Sequence, residues 1–160
     1  MKNICLYLLF ITFTASACSG DDVRANTDDP TPEPQNADVT NVSVTGETGS
    51  YTFSVEIRSP DLGCNQYADW WEVISEDGTL VYRRILAHSH VNEQPFTRSG
   101  GPVAITEGQI VYVRAHMNNN GYGTIVYKGS VANGFTQDTL EASFANQLAS
   151  EEPLPNNCAF

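Results

Sequence analysis

The sequence is poor in positive charge and in long apolar runs. Its 160 residues include 8 lysines and arginines against 19 aspartates and glutamates, a formal net charge of −11. Such an excess of acid disfavours binding of nucleic acid or anionic lipid through a basic patch, and we expect no nucleic-acid partner. Beyond the N-terminal segment, no apolar stretch approaches the roughly 20 residues of a membrane-spanning helix. The length fits one compact domain.

The familiar motifs of enzyme chemistry are also missing. The chain has no P-loop, no dinucleotide-binding glycine fingerprint, no G-x-S-x-G elbow, no H-E-x-x-H helix and no C-x-x-C pair. Nucleotide, serine-hydrolase, zinc-finger and thioredoxin chemistry are therefore disfavoured. The sequence favours a binding protein over an enzyme.

The first 17 residues are typical of a signal peptide. They contain one lysine, no acid, an apolar stretch from Ile4 to Phe13 and small residues at the end, and this stretch is too short to span a membrane. The segment Ala15-Ser16-Ala17-Cys18 resembles the lipobox of bacterial lipoproteins, although that pattern usually has leucine at the position of Ala15. The resemblance implies cleavage before Cys18 and its acylation, for example with palmitate; two acyl chains would anchor it stably. The alternative is ordinary cleavage that leaves a free cysteine.

Residues 18–38 predict a lipidated cysteine and an acidic, proline-rich tether. Three prolines, six acids and one arginine follow Cys18, and such a segment buries too little apolar surface to offset its ordering entropy. Ser19-Gly20-Asp21-Asp22 resembles the export tag of surface lipoproteins from Bacteroidetes-type bacteria, which implies an outer-membrane location facing the cell exterior. The folded domain is expected over 39–160, whose 13 acids and 6 bases leave a charge of −7.

From Val39 to about Val131 the hydrophobic pattern has the period of β-strands. Apolar and polar residues alternate from Tyr51 to Ile57, which is typical of a half-buried antiparallel strand. Turn signals such as Glu76-Asp77-Gly78 separate it from further strands. The other strands are predicted over 70–75, 79–90, 109–117 and 123–131.

The stretch from Val111 to Gly123 carries a second resemblance. Alternating Val111, Val113, Ala115 and Met117 lead through an asparagine-rich turn into another strand. This is similar to the last two strands of fibronectin type III and other immunoglobulin-like domains. The resemblance implies an all-β, antiparallel β-sandwich, and a fold of this kind implies no particular function.

The period changes near the C-terminus. Leu140, Phe144 and Leu148 are spaced to share one face of a helix, and Asp138 with Glu141 resembles a capping box. We therefore predict a short C-terminal helix.

The cysteine count predicts one disulfide. Cys5 leaves with the signal peptide and Cys18 takes lipid, so Cys64 and Cys158 remain. Two leftover cysteines in an exported protein usually pair. The alternatives are a metal-binding or a free-thiol role.

The three histidines suggest a metal hypothesis. His88 and His90 would point to the same face of a regular strand, and His116 lies on another strand. A His-x-His pair with a third histidine is a ligand set for Zn or Cu with an open position for water, and Glu93 could act as a fourth ligand or general base. This arrangement would suit metal capture or metal-assisted hydrolysis. The alternatives are a structural hydrogen-bonding cluster and an anion or sugar site.

A set of arginines and aromatic residues suggests the leading hypothesis. Arg84, Arg98 and Arg114 lie in or beside the central strands with Trp70; guanidinium groups bind anions bidentately, and an aromatic ring can stack on sugars. The polar, glycine-rich segment 92–102 is expected to be a loop that adds to such a site. We therefore expect a lipid-anchored cell-envelope module that binds a glycan, a small anion or an envelope protein.

A structural explanation remains open for the same residues. In that alternative one of Trp70 and Trp71 fills the core while the other covers the sheet. The arginines would then pair with Asp69, Glu72 and Glu93.

Overall fold

Two antiparallel β-sheets account for most of the described chain. The computed structural model describes residues 34–159, so the signal peptide, the lipobox and most of the tether lie outside the described residues. The described part contains these strands: β1 (Asp38–Glu47), β2 (Ser50–Arg58), β3 (Ala68–Ser75), β4 (Leu80–Ile85), β5 (Phe96–Val103), β6 (Val111–Met117), β7 (Gly121–Tyr122), β8 (Ile125–Ser130) and β9 (Gly134–Thr139).

The strand order divides the sheets into a small and a large one. The small sheet has the order β1-β2-β5, and the large sheet has the order β4-β3-β6-β8-β9, with β7 paired to the end of β6. This confirms the predicted all-β architecture with antiparallel pairing. The strands predicted over 51–57, 70–75, 109–117 and 123–131 correspond to β2, β3, β6 and β8.

The hydrophobic core is built from alternate residues of both sheets. Alternation follows from the two-residue period of a strand, which sends every second side chain to the same face. Trp71 and Val73 of β3 are fully buried, while the intervening Glu72 points to the opposite face. The core residues with no exposed surface include Val39, Phe53, Val55, Ile57, Trp71, Val73, Val103, Val111 and Val113.

Two segments around β4 and β5 differ from prediction. The strand predicted over 79–90 ends at Ile85. The chain then forms a loop, in which the His90 amide donates a hydrogen bond to the Asp61 carboxylate at 2.7 Å. The predicted loop over 92–102 is largely strand β5, paired with β2. Its glycines are needed for close packing: a Cβ on Gly100 would lie 2.6 Å from the Tyr82 hydroxyl oxygen.

The predicted C-terminal helix is wrong. Asp138, the expected cap, lies in β9, and the only helical turn between residues 34 and 159 is the 3₁₀ segment η1 (Asn146–Ser150). Ala145 has a φ of 47°, which interrupts a right-handed helix. Leu148 is only 2% exposed. The apolar spacing therefore indicated a buried side chain at this position, although the helix is not formed.

The structure also bears on the predicted disulfide and on the predicted start of the folded domain. The Cys64–Cys158 disulfide is confirmed, with the two Cα atoms 5.6 Å apart, and it joins the β2–β3 loop to the C-terminal tail. Ala37 has no exposed surface, so packing begins shortly before the predicted boundary at Val39. Within residues 34–159 no helix is long and apolar enough to cross a membrane.

Candidate functional site

The outer face of the large sheet carries polar residues at central positions. Trp70 and Glu72 of β3 pair across the sheet with His116 and Arg114 of β6, and residues directly opposite each other share a face. All four residues are nevertheless buried, between 0% and 8% exposed. The C-terminal segment, residues 140–159, covers this face.

Glu72, Arg83 and Arg114 form a buried ionic cluster on that face. Glu72 accepts hydrogen bonds from Arg83 Nε at 2.8 Å and from Arg114 Nε at 2.8 Å, and the two carboxylate oxygens each contact one guanidinium. One carboxylate therefore balances only one of two buried positive charges.

The remaining donors of the cluster bind backbone carbonyls of the C-terminal segment. Arg114 donates to the carbonyls of Phe144 and Ala145 at 2.6 and 3.1 Å. Arg83 donates to the carbonyl of Leu148 at 2.7 Å, and also to those of Glu151 and Pro153. The two arginines thus hold the segment against the sheet and are not available to an external ligand.

Trp70, His116 and Asp69 form a second buried group beside the cluster. The His116 and Trp70 rings are stacked, with centroids 3.7 Å apart, and the Arg83 guanidinium lies 4.5 Å from the Trp70 ring centre. Since both neighbours lie so close to the ring centre, they must occupy opposite faces. Trp70 therefore offers no free face for stacking on a sugar.

Asp69 orients the His116 ring. His116 Nδ1 lies 2.7 Å from an Asp69 carboxylate oxygen, which leaves Nε2 free of hydrogen bonds within the described chain. Burial raises the pKa of Asp69, and the bond to His116 only partly offsets this effect. Burial and the nearby Asp69 and Asp61 carboxylates also raise the pKa of the Tyr67 hydroxyl.

These residues form one wall of a pocket of about 470 Å³, within the range of roughly 300–1,000 Å³ that is usual for small-molecule sites. The opposite wall is the C-terminal tail. The sheet and its loops contribute Cys64, Tyr67, Asp69, Trp70, His116 and Asn118, and the tail contributes Ala149, Leu154, Pro155, Asn156, Asn157 and Cys158.

The pocket combines unpaired polar atoms with a rigid frame. Asn118 helps to build the frame, since its side chain accepts from the Tyr67 amide at 3.0 Å and donates to the Cys64 carbonyl at 2.9 Å. Trp70 Nε1 is a buried donor without a partner in residues 34–159. Its burial keeps it out of reach of a ligand in the pocket. His116 lines the pocket and its Nε2 has no hydrogen-bond partner among the described residues, so a ligand would gain most from His116.

The structure does not bring the three histidines together. His116 lies in the pocket, whereas His90 stacks on Phe96 at a centroid distance of 3.8 Å and His88 is an exposed neighbour of His90 in the β4–β5 loop. In the described chain, no three His, Cys, Asp or Glu side chains are grouped so that they could hold a metal ion. The Zn or Cu site with His88, His90, His116 and Glu93 is therefore not assembled.

His90 instead has a structural environment. Its side chain is 1% exposed, and the nearest carboxylate oxygen, from Asp61, lies 3.8 Å from Nδ1. Neither ring nitrogen has a hydrogen-bond partner in the described part of the chain. Burial, with smaller effects from Arg98 and His88, lowers its pKa from 6.5 to about 4. The ring therefore packs as a neutral group.

The predicted arginine site is also dispersed. Arg84 is exposed on β4, and Arg98 lies on β5 of the small sheet, where it pairs with Glu93 at 2.6 Å. Arg114 is in the buried cluster and Trp70 is in the pocket. The observed pairs match most of the structural alternative: Trp71 fills the core, Trp70 covers the sheet, and Glu72 and Glu93 bind arginines. Asp69 differs, because it binds His116.

Sequence reasoning missed the pocket because half of it comes from the C-terminal tail. Two signals could have located it. The disulfide between Cys64 and Cys158 brings the tail to the β2–β3 loop. The polar and aromatic residues that alternate with the core on β3 and β6, including Glu72 and Arg114, indicate an outer face that needs cover.

A comparison with known proteins found sequence similarity to a named protein over part of this chain. The chain is 39% identical over 89 residues to a protein of Halomicrobium mukohataei named "Putative lipoprotein". The matched part is 54% of this chain and 43% of that protein, so the chain spans less than half of its length. No protein-family model matches the chain, and no solved structure matches it.

Proposed function

We propose that this protein is a lipid-anchored binding module of the cell envelope that holds a neutral, hydroxyl-bearing ligand, a glycan unit, in the pocket beside Trp70 and His116. The observation that carries the proposal is the pocket, with its converging polar atoms and a wall fixed by a disulfide. The proposed location of binding is this pocket, and not the exposed arginine surface that the sequence suggested.

The charge of the pocket supports a neutral ligand over an anion. Its lining residues include the carboxylate of Asp69 and no lysine or arginine, because Arg83 and Arg114 are committed to Glu72 and to backbone carbonyls. A small anion would meet a negative charge without compensation. Sugar hydroxyls, in contrast, can donate to Asp69 and to His116 Nε2 and can accept from the amides of Asn156 and Asn157 in the lining.

The proposed anchor and fold have separate support. The lipobox resemblance at Cys18 and the similarity to the Halomicrobium protein support lipidation, and the export-tag resemblance supports the outer face of an outer membrane. The strand order supports an immunoglobulin or fibronectin III-like sandwich: β1, β2 and β5 share one sheet, and β3, β6 and β8 share the other, as strands A, B, E and C, F, G do in that fold.

The test is a glycan-array screen of the mature chain made soluble by Cys18→Ser, followed by titration of the sugars that bind. Loss of one hydrogen bond costs about 0.5–1.5 kcal/mol, so His116→Phe, which keeps the ring stack on Trp70, should weaken binding about 2- to 13-fold. Arg84→Ala is the matched control, since Arg84 lies outside the pocket, and should leave affinity unchanged. Absence of glycan binding, or loss in Arg84→Ala without loss in His116→Phe, would refute the proposal.

A further inference from the structure

The wall of the pocket formed by residues 154–158 is attached differently from the rest of the C-terminal segment. The carbonyls held by Arg83 and Arg114 end at Pro153. Beyond it, the Leu154 amide bonds only within the segment, to Glu152 at 2.8 Å. The next attachments to the sandwich in the described chain are the Cys64–Cys158 disulfide and the hydrogen bond from the Ala159 amide to the Ala87 carbonyl.

Residues 154–158 therefore form a strap that spans the pocket between two attachments. The first attachment is the hydrogen bond from Arg83 to the Pro153 carbonyl; Arg83 is itself fixed by its buried ion pair with Glu72. The second is covalent, at a position where Cys158 is only partly buried and Asn156 and Asn157 are exposed. Leu154 and Pro155 are half-buried, but the exposed asparagines contribute little burial. Without the disulfide, the far end of the strap is held only by the hydrogen bond from the Ala159 amide to the Ala87 carbonyl.

We propose that the Cys64–Cys158 disulfide is a redox-dependent closure of the pocket, so that the oxidised chain has a complete binding site and the reduced chain has an open one. Both half-cystines line the pocket, so breaking their bond changes the site directly. The sandwich itself stays folded, because its core and the Glu72–Arg83–Arg114 cluster do not depend on the strap. The effect of the closure on ligand binding rests on the proposed function. The movement of the strap does not depend on that function.

The chemistry is a two-electron thiol–disulfide exchange with a dithiol. The S–S bond breaks, Cys64 and Cys158 each gain an electron and a proton to become thiols, and the dithiol is oxidised to its own disulfide. A soluble dithiol reaches the bond through the same opening as a ligand, since Cys64 and Cys158 both line the pocket.

The first measurement follows the strap without any ligand. Backbone ¹⁵N relaxation is recorded on the mature Cys18→Ser chain before and after treatment with dithiothreitol, and on a Cys64→Ser/Cys158→Ser variant. We expect order parameters of residues 154–159 to fall from about 0.85 to below 0.6 on reduction, while those of β3 and β6 stay unchanged. The double variant should be mobile from the start and insensitive to dithiothreitol.

The second measurement follows binding. Methyl glycosides of glucose, galactose, mannose and N-acetylglucosamine are tested by saturation-transfer NMR against both redox states, and a glycoside that binds the oxidised chain should lose at least tenfold in affinity on reduction. A strap that stays rigid, a reduced chain that unfolds throughout, or equal affinity in both states would overturn the redox closure. Absence of glycoside binding combined with a mobile strap would instead count against the glycan function alone.

Discussion

Replacing Glu72 by glutamine should destabilise the fold strongly, because this single carboxylate serves two buried guanidinium groups. Glu72 is fully buried and accepts hydrogen bonds from both Arg83 and Arg114. The substitution keeps the volume of the side chain and removes its charge. It leaves two positive charges in the interior with no carboxylate of their own to balance them.

The expected loss follows from the cost of an uncompensated buried charge. Removing one partner of a buried ion pair costs about 3–5 kcal/mol, and each kcal/mol lowers the melting temperature of a domain of this size by about 3–5 °C. Glu72→Gln should therefore lose about 3–5 kcal/mol of unfolding free energy and roughly 10–20 °C in Tm. The assay is urea unfolding at pH 7 followed by circular dichroism, with the slope m compared between variants to confirm two-state behaviour.

The matched control is Glu93→Gln. Glu93 makes a similar ion pair with Arg98, but its side chain is 59% exposed, and exposed pairs contribute little; the variant should be indistinguishable from the parent. A loss below about 1 kcal/mol in Glu72→Gln would refute the conclusion that this cluster holds the C-terminal segment on the sheet.

Two further predictions concern pH and the disulfide. Because the pKa of His90 is about 4 in the folded chain and about 6.5 in an unfolded one, the unfolded chain binds more protons between these values, so stability should fall as pH is lowered from about 6.5 to 4. His90→Phe, which keeps the stack on Phe96, should flatten this part of the profile in urea midpoints measured from pH 4 to 8, and parallel profiles would contradict the assignment. For the disulfide, whose cysteines are 94 residues apart, the chain-entropy estimate of its contribution is about 4–5 kcal/mol. Reduction should lower the unfolding free energy by less than this, because the strap also gains freedom in the folded chain. Urea unfolding with and without dithiothreitol measures the difference. A loss of the full amount of about 4–5 kcal/mol would indicate a strap that stays in place after reduction.

Sequence patterns predicted the parts of the fold that depend on local alternation. The alternation from Tyr51 to Ile57 and from Val111 to Met117 located β2 and β6 because each strand buries one face in the core. The pattern failed at β5, where Gly100 and Gly101 have the composition of a loop. Gly100 leaves room for Tyr82 of the large sheet, and Gly101 leaves room for the backbone of Tyr51 in the neighbouring strand β2. Both neighbours are distant in sequence and approach only when the fold has formed.

The candidate site was less predictable for a related reason. Trp70, Arg114 and His116, which the sequence singled out, do lie together on the outer face of the large sheet. The sequence did not predict that these side chains are covered. Burial of this face depends on residues 140–159, and the spacing of Leu140, Phe144 and Leu148 predicted a helix that is not formed there. Arg114 binds the carbonyls of Phe144 and Ala145. The arginine that suggested a ligand site therefore satisfies backbone carbonyls that would accept backbone hydrogen bonds in a helix.

The buried ionic cluster has a use that a hydrophobic one would lack. Apolar residues of similar volume could stabilise the outer face equally well, since a buried ion pair pays a large desolvation cost. They could not, however, satisfy the five backbone carbonyls between Phe144 and Pro153 that Arg83 and Arg114 bind. With these carbonyls satisfied, an irregular segment can lie against the sheet and position the strap from Leu154 to Cys158 over Trp70 and His116. The cluster, the strap and the disulfide therefore act as one device, in which buried charge fixes one end of the pocket wall and a covalent bond fixes the other.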